Sequence, residues 1–355
     1  MDGKAGISLF FFYYARLTGE GKYADHAVEL LGSIFKDIND GFNDFRFSNG
    51  LAGIGWILRH LVQYKFIETD INELLDGLDA FFYRTMTERF HENHYDFLHG
   101  ALGVGTYWLS RLPHTDTQKY LNDCIDHLDR IWQTVLVPNS TKGVNLGVAH
   151  GIPSIIAFLS KSLERGVSNK KTRGLLNSAV RYLLEQSLDP TQFRSIFPDS
   201  VRVNGNPSDS RLAWCYGDLG IGSVLWQASQ AAGNKAWEEK AIHILIHTTT
   251  RKALQENLVV DACFCHGTAG IAHIYNRMYQ YTGMEPFKNA VLYWLDQTLK
   301  MAVSDDGAAG FKVWCGDNVW QNRYCLLDGI AGIGMVLMAA VSDVEPSWDR
   351  CFLLS

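Results

Sequence analysis

Along the chain, a Gly-x-x-Gly step followed by a long apolar run recurs seven times. The copies are GKAGISLFFFYYA from Gly3, GLAGIGWILRHLV from Gly50, GALGVGTYWL from Gly100 and GIPSIIAFLS from Gly151. GDLGIGSVLW from Gly217, GTAGIAHIY from Gly267 and GIAGIGMVLM from Gly329 complete the set. The first glycines stand 47, 50, 51, 66, 50 and 62 residues apart, which is the regularity of a repeat architecture. Only the fourth copy departs, with Ser154 as its second small residue. Between copies lie stretches such as 69–90 and 234–250, whose apolar residues recur at three and four with charges on the other face. Each unit therefore reads as a helix starting at the glycine pair, a turn, and an amphipathic helix returning.

The Gly-led runs are apolar nearly all round, so they are expected to be buried on both sides, while the returning helices keep one wet face. An inner ring wrapped by an outer ring satisfies both patterns. The predicted fold is all-α, an α/α toroid with seven Gly-led inner helices and about six outer helices, in one domain spanning 1–355. A superhelical solenoid is the alternative, but it needs polar caps at its open ends, and neither terminus is notably polar. The sequence opens on the first glycine pair, so no outer helix is expected ahead of it. Glycines three apart are expected to relieve crowding between inner helices and to leave helix N-terminal N–H groups exposed. If every inner helix starts on the same end of the ring, the residues just before each pair converge on one mouth.

Composition changes this picture little. With 47% apolar and 20% charged residues, the chain has ample core material and no sign of disorder. Thirty-two basic against 38 acidic residues give a net charge of −6, which offers no footprint for nucleic acid. Seven scattered cysteines do not make a disulfide framework; reduced thiols in a cytoplasm fit them better. The apolar N-terminal stretch lacks the flanks of a signal peptide. No apolar run reaches the ~20 residues needed to span a bilayer.

The chemistry gathers in the later junctions. Asp96 and His99 precede Gly100, His150 precedes Gly151, and Arg211 with Trp214-Cys215-Tyr216 precedes Gly217. Cys263 and Cys265-His266 precede Gly267, and Asp328 precedes Gly329. Cys215, Cys265 and His266 suit one zinc ion: two thiolates and an imidazole, with a fourth position open as in catalytic sites. Cys124, Cys325 and Cys351 read as small buried hydrophobes, and Cys263 and Cys315 more weakly so. His150 is a general acid/base candidate. Asp96 reads as a helix cap or as the group that orients such a base, and Arg211 as a partner for a carboxylate or an anionic intermediate. His26, His60, His91, His114, His127, His243 and His247 fall on outer helices or loops and read as structural; His99 is left open.

WCYG at 214–217, CHG at 265–267 and the seven glycine-led helices together resemble the lanthionine synthetase C family, LanC cyclases and their LanC-like relatives. The resemblance covers nearly the whole chain. It implies an α/α toroid with a central zinc, and cyclisation of dehydrated peptides by thiol addition. Carried over by residue, Cys215, Cys265 and His266 match the zinc ligands, His150 in NLGVAHG the active-site histidine, and Asp96 in YDFLHG the active-site aspartate. Arg211, Trp214 and Tyr216 match the residues around the first zinc cysteine, the last two as substrate contacts. The implied reaction adds a zinc-activated peptide thiolate to dehydroalanine or dehydrobutyrine, with His150 and Asp96 handling the proton and Arg211 or zinc stabilising developing charge. Implied partners are a dehydrated precursor peptide, a lanthipeptide dehydratase and a transporter. No interval has room for the β-rich insertion of some biosynthetic members; the longest reads as helix plus the polar loop 191–210.

Four rivals remain. Addition of glutathione or another small thiol uses the same chemistry. A non-catalytic zinc scaffold requires a fourth ligand, Cys263 or Cys315. A prenyltransferase-like toroid would be expected to carry a carboxylate ligand, and a glycosidase needs two carboxylates, for which Asp96 and Asp328 are available.

Overall fold

The structure, a computed structural model, describes residues 1–114, 116–136, 143–201 and 205–355. The seven apolar runs are helices α1 (Lys4–Thr18), α3 (Leu51–Gln63), α5 (Ala101–Arg111), α7 (Ile152–Glu164), α9 (Asp218–Ala232), α11 (Thr268–Thr282) and α13 (Ile330–Val341). The returning helices are α2 (Gly21–Asn39), α4 (Asn72–His91), α6 (Thr117–Ile131), α8 (Asn169–Leu184), α10 (Lys235–Thr248) and α12 (Glu285–Lys300). The segments at 69–90 and 234–250 are thus helical; the first starts three residues later and ends one residue further on, and the second is one residue shorter at its start and two at its end. Strands are minimal: β1 (Val144–Asn145) pairs antiparallel with β2 (Ser200–Val201), and β3 (Val313–Trp314) with β4 (Trp320–Gln321).

Two compact units carry these elements. One comprises Met1–Asn43, Arg211–Cys215 and Leu245–Arg350. In it α1 packs on α2 and α13, and α11 packs on α12 and α13. The other comprises Asp44–Ser210, Tyr216–Ile244 and Cys351–Ser355. There α5 packs against α3, α4, α6 and α7, and α7 against α8 and α9.

Burial follows the apolar pattern. Eleven of the thirteen residues of α7 are buried, whereas α2 buries only Ala27, Leu31 and Ile34. Helix α1 departs from this: Ile7, Phe10, Phe11 and Tyr14 are only half-buried. Phe10 and Tyr14 stack on each other at 5.7 Å, and Tyr14 meets Tyr23 of α2 edge-on at 4.6 Å. His60 also departs from expectation, since it sits on the Gly-led helix α3, buried and stacked on Trp56 at 5.0 Å. It remains a core residue.

The glycine pairs have a different cause from the one expected. A Cβ on Gly103 would lie 2.5 Å from the Phe97 carbonyl oxygen, and one on Gly270 1.8 Å from that of Phe264. Both obstacles belong to the glycine's own preceding loop. Crowding between helices falls instead on a third glycine, two residues on: a Cβ at Gly55 would meet the Tyr107 ring at 2.7 Å. The loop folds back over the helix start and caps it with backbone alone. Gly100 N–H donates to the Asp96 carbonyl and Ala101 N–H to that of His94, both at 3.1 Å. Gly267 N–H and Thr268 N–H repeat this on Cys263 and Asp261, again at 3.1 Å. No N-cap side chain assists at α5 or α11. This turn sets the residue six before the glycine beside the one just before it, as Asp261 and His266 show at 3.7 Å and Arg323 and Asp328 at 3.8 Å.

The loop before α9 is held by two aspartates. Asp218, fully buried at the start of α9, accepts the N–H groups of Ile196 and Phe197 at 2.9 and 2.8 Å. Asp209 accepts those of Arg194 and Ser195 at 2.7 and 2.9 Å. Of the expected polar loop 191–210, residues 202–204 lie outside the described residues.

Candidate functional site

In the first unit, the junctions before α9, α11 and α13 lie side by side. Cys215 N–H donates to the Cys265 carbonyl at 3.3 Å, and Cys265 N–H to the Leu327 carbonyl at 3.0 Å. This zipping brings Cys215 Sγ, Cys265 Sγ and a His266 ring nitrogen within 4.8 Å of one another. Cys215 is 5% exposed, and the other two are half-buried. Two sulfurs and one imidazole are zinc donors, and oxygen-seeking calcium or magnesium would reject them. Among the described residues no fourth side chain joins this set. Cys263 groups with Asp261 and His266 but not with the two thiols, and Cys315 joins no group.

The electrostatics push the two thiols in opposite directions and favour the proton on the imidazole. The hydrogen bond between the thiols draws Cys215 below the usual cysteine range against burial, with His266 and Arg211 helping. The same bond, reinforced by burial, pushes Cys265 up. Burial pulls His266 down, but Asp261 and the Cys215 sulfur outweigh it and hold the imidazole above its ordinary value. Burial likewise lifts Asp328, whose carboxyl faces Cys265, His266 and Arg323.

Arg211 donates from Nη2 to the Leu258 carbonyl at 2.7 Å, and its buried Nε has no partner. Trp214 is wholly buried, its ring 6.2 Å from that of Phe264. In this conformation it supports Cys215 from within the core and presents no surface to a ligand. That corrects its expected place beside Tyr216: both rings flank the cysteine in sequence, but only one is accessible.

In the second unit, His150 Nδ1 lies 2.6 Å from Asp96 Oδ2. The two come from successive junctions 54 residues apart. Asp96 Oδ1 accepts the His99 backbone N–H at 2.7 Å. Burial raises the Asp96 carboxyl, yet His150 and the His99 N–H together hold it below the ordinary carboxylate value. The His99 ring stacks on His150 at 5.5 Å and 26°, with its own Nδ1 3.2 Å from Ser48 Oγ. Burial keeps His99 below its ordinary value, hence neutral at pH 7. Tyr216 lies 6.2 Å from His150, ring to ring, and its hydroxyl accepts from Asn145 Nδ2 at 3.0 Å.

Of the structural cysteines, Cys124 and Cys351 are fully buried and Cys325 nearly so; Cys263 is buried and Cys315 is not. Asn145 and Asp261 were missed by the sequence reading. The available signal was positional: each of the last six junctions carries a polar residue six places before its glycine, namely Asp44, His94, Asn145, Arg211, Asp261 and Arg323.

Comparison with known proteins bears on the family and the fold. The profile of the family described as lanthionine synthetase C-like protein matches residues 1–353. The nisin biosynthesis protein NisC of Lactococcus lactis subsp. lactis is 27% identical over 139 residues, 37% of this chain and 32% of that protein. The matched stretch thus spans about a third of the curated relative. A solved structure described as nisin cyclase is 20% identical and superposes with a TM-score of 0.81, covering 99% of this chain and 90% of its own. That likeness shows the fold and bears out the α/α toroid class. Among the described residues, no helix is long and apolar enough to cross a membrane.

Proposed function

The chain belongs to the lanthionine synthetase C-like family, and from that premise we propose that it is a zinc-dependent lanthipeptide cyclase. The reaction adds a peptide cysteine thiol to the β-carbon of a dehydroalanine or dehydrobutyrine. A C–S bond forms, the C=C π bond opens, and the α-carbon takes up a proton. Residues 1–355 act in this reading as one catalytic domain. The observation that carries it is the grouping of Cys215, Cys265 and His266 within 4.8 Å without a fourth donor among the described residues.

Held by those three side chains, zinc would supply a positive charge that lowers the pKa of a nearby thiol to form the nucleophile. The chain's own residues manage the rest. Asp96 engages His150 Nδ1 at 2.6 Å, which fixes the tautomer and leaves Nε2 as the nitrogen that exchanges a proton. His150 then delivers a proton from Nε2 to the α-carbon, and Asp96 steadies the imidazolium before and the neutral ring after. Arg211, whose buried Nε lacks a partner, stabilises charge developing on the enolate oxygen. Tyr216, accessible beside His150, contacts the peptide. The substrate is a dehydrated precursor peptide, so a dehydratase must act before this enzyme.

The test is incubation of the protein with a dehydrated peptide, following thiol consumption and thioether formation with and without a strong chelator. Thiol loss that stops on metal removal and returns with zinc is expected. A folded protein that carries no zinc, or thiol loss indifferent to the chelator, refutes the proposal.

A further inference from the structure

Asp261 is a buried carboxylate, 2% exposed, six residues before Gly267. Its Oδ1 accepts the Cys263 N–H at 3.0 Å, and its Oδ2 accepts the Trp314 N–H at 3.0 Å and lies 3.7 Å from His266 Nε2. The first of these bonds is a turn device shared by sister junctions. Asp44 Oδ1 accepts the Arg46 N–H at 3.0 Å, and Asn145 Oδ1 accepts the Gly147 N–H at 2.7 Å. Asn145 shows that the turn itself needs no negative charge. What distinguishes each junction is the second atom of that side chain: Asp44 Oδ2 binds its own Arg46 at 2.9 Å, and Asn145 Nδ2 donates to Tyr216. In Asp261 the second oxygen faces His266 and the first strand of the 313–321 hairpin.

From this we infer that Asp261 is the positioning residue of His266, and that it links the β3–β4 hairpin to the metal-ligand group. The inference rests on the zinc reading above. With Nε2 directed to a carboxylate, Nδ1 is the ring nitrogen whose lone pair is left for a metal, and the ring is not free to turn. Groups that hold a ligating histidine in this way commonly set metal affinity by 10- to 100-fold. The Trp314 N–H competes for the same oxygen, so any shift of the hairpin changes how firmly His266 is held. Trp320, opposite Trp314 in register, is 45% exposed beside a cavity of about 490 Å³ lined by Val260, Val303 and Lys312. A peptide touching that hairpin would therefore act on the zinc ligand through one carboxylate.

The test compares zinc affinity in wild type, Asp261→Asn and Cys263→Ala by competition with a chromophoric chelator. Asp261→Asn retains the turn as Asn145 does, and is expected to weaken zinc about 10- to 100-fold. The charge-transfer bands of the cobalt-substituted variant should still report two thiolates. Cys263→Ala should bind zinc as wild type does. Wild-type affinity in Asp261→Asn overturns the inference. So does a matching loss in Cys263→Ala, because Asp261 and Cys263 would then be direct ligands. A measurement on the unmodified protein is independent of variant folding: zinc loading should slow hydrogen exchange at the Trp314 amide several-fold, and unchanged exchange overturns the hairpin link. Wild type that binds no zinc removes the cyclase reading as well, whereas zinc-loaded wild type with an indifferent Asp261→Asn removes only the role of Asp261.

Discussion

His150 and His266 occupy the same slot, one residue before the first glycine of a junction, yet their surroundings differ in kind. His150 meets Asp96, from the junction before it, at 2.6 Å. His266 meets Asp261, from its own loop, at 3.7 Å, and shares its space with two thiols. A short contact between partly exposed groups suits a histidine that must gain and lose a proton. A looser contact with a buried aspartate suits the proposed metal ligand, which would have to stay oriented while its other nitrogen bound the ion. The backbone slot supplies direction, and neighbouring junctions supply the chemistry.

The contrast breaks most completely on the thiol side. Cys265→Ala should lose zinc and reduce thioether formation to background, measured by metal analysis and by mass spectrometry of the peptide. His150→Ala should lower the rate by roughly 10²- to 10⁴-fold, the usual worth of a positioned acid/base, with zinc content unchanged. Loss of zinc in that variant would merge the two histidines into one role. Asp96→Asn acts through His150, so its cost should not exceed that of His150→Ala. It also carries a pH signature. The folded Asp96 carboxyl lies below its ordinary value, so the stability it contributes is present above about pH 4 and is lost as pH falls through the folded value. The difference in Tm between wild type and Asp96→Asn should therefore shrink below about pH 4. A gap that instead widens in acid has the opposite sign and would falsify this account of the pair. Smallest is Tyr216→Phe, which removes the acceptor for Asn145. One such hydrogen bond is worth about 1 kcal/mol of folding stability, so the variant should show a small drop in Tm with zinc affinity untouched.

The sequence by itself determined the helices and the junctions. Apolar runs of period 3.6 that start on a glycine pair can bury themselves only as packed helices, and seven such runs fix how many inner helices there are. It also marked Cys215, Cys265, His266, His150 and Asp96, because unusual chemistry stood at equivalent places in a repeat. Tertiary structure decided what each of these touches. That Trp214 turns into the core while Tyr216 does not, and that Asp261 rather than Cys263 faces His266 as its charge partner, depends on how the loop folds back over the helix start. The purpose of the glycine pair lay in the same fold-back: Gly270 clears the Phe264 carbonyl of its own loop. Periodicity records which side of a helix is apolar. It carries no record of the path taken by an irregular loop, whose side-chain directions are fixed only by contacts with other parts of the chain.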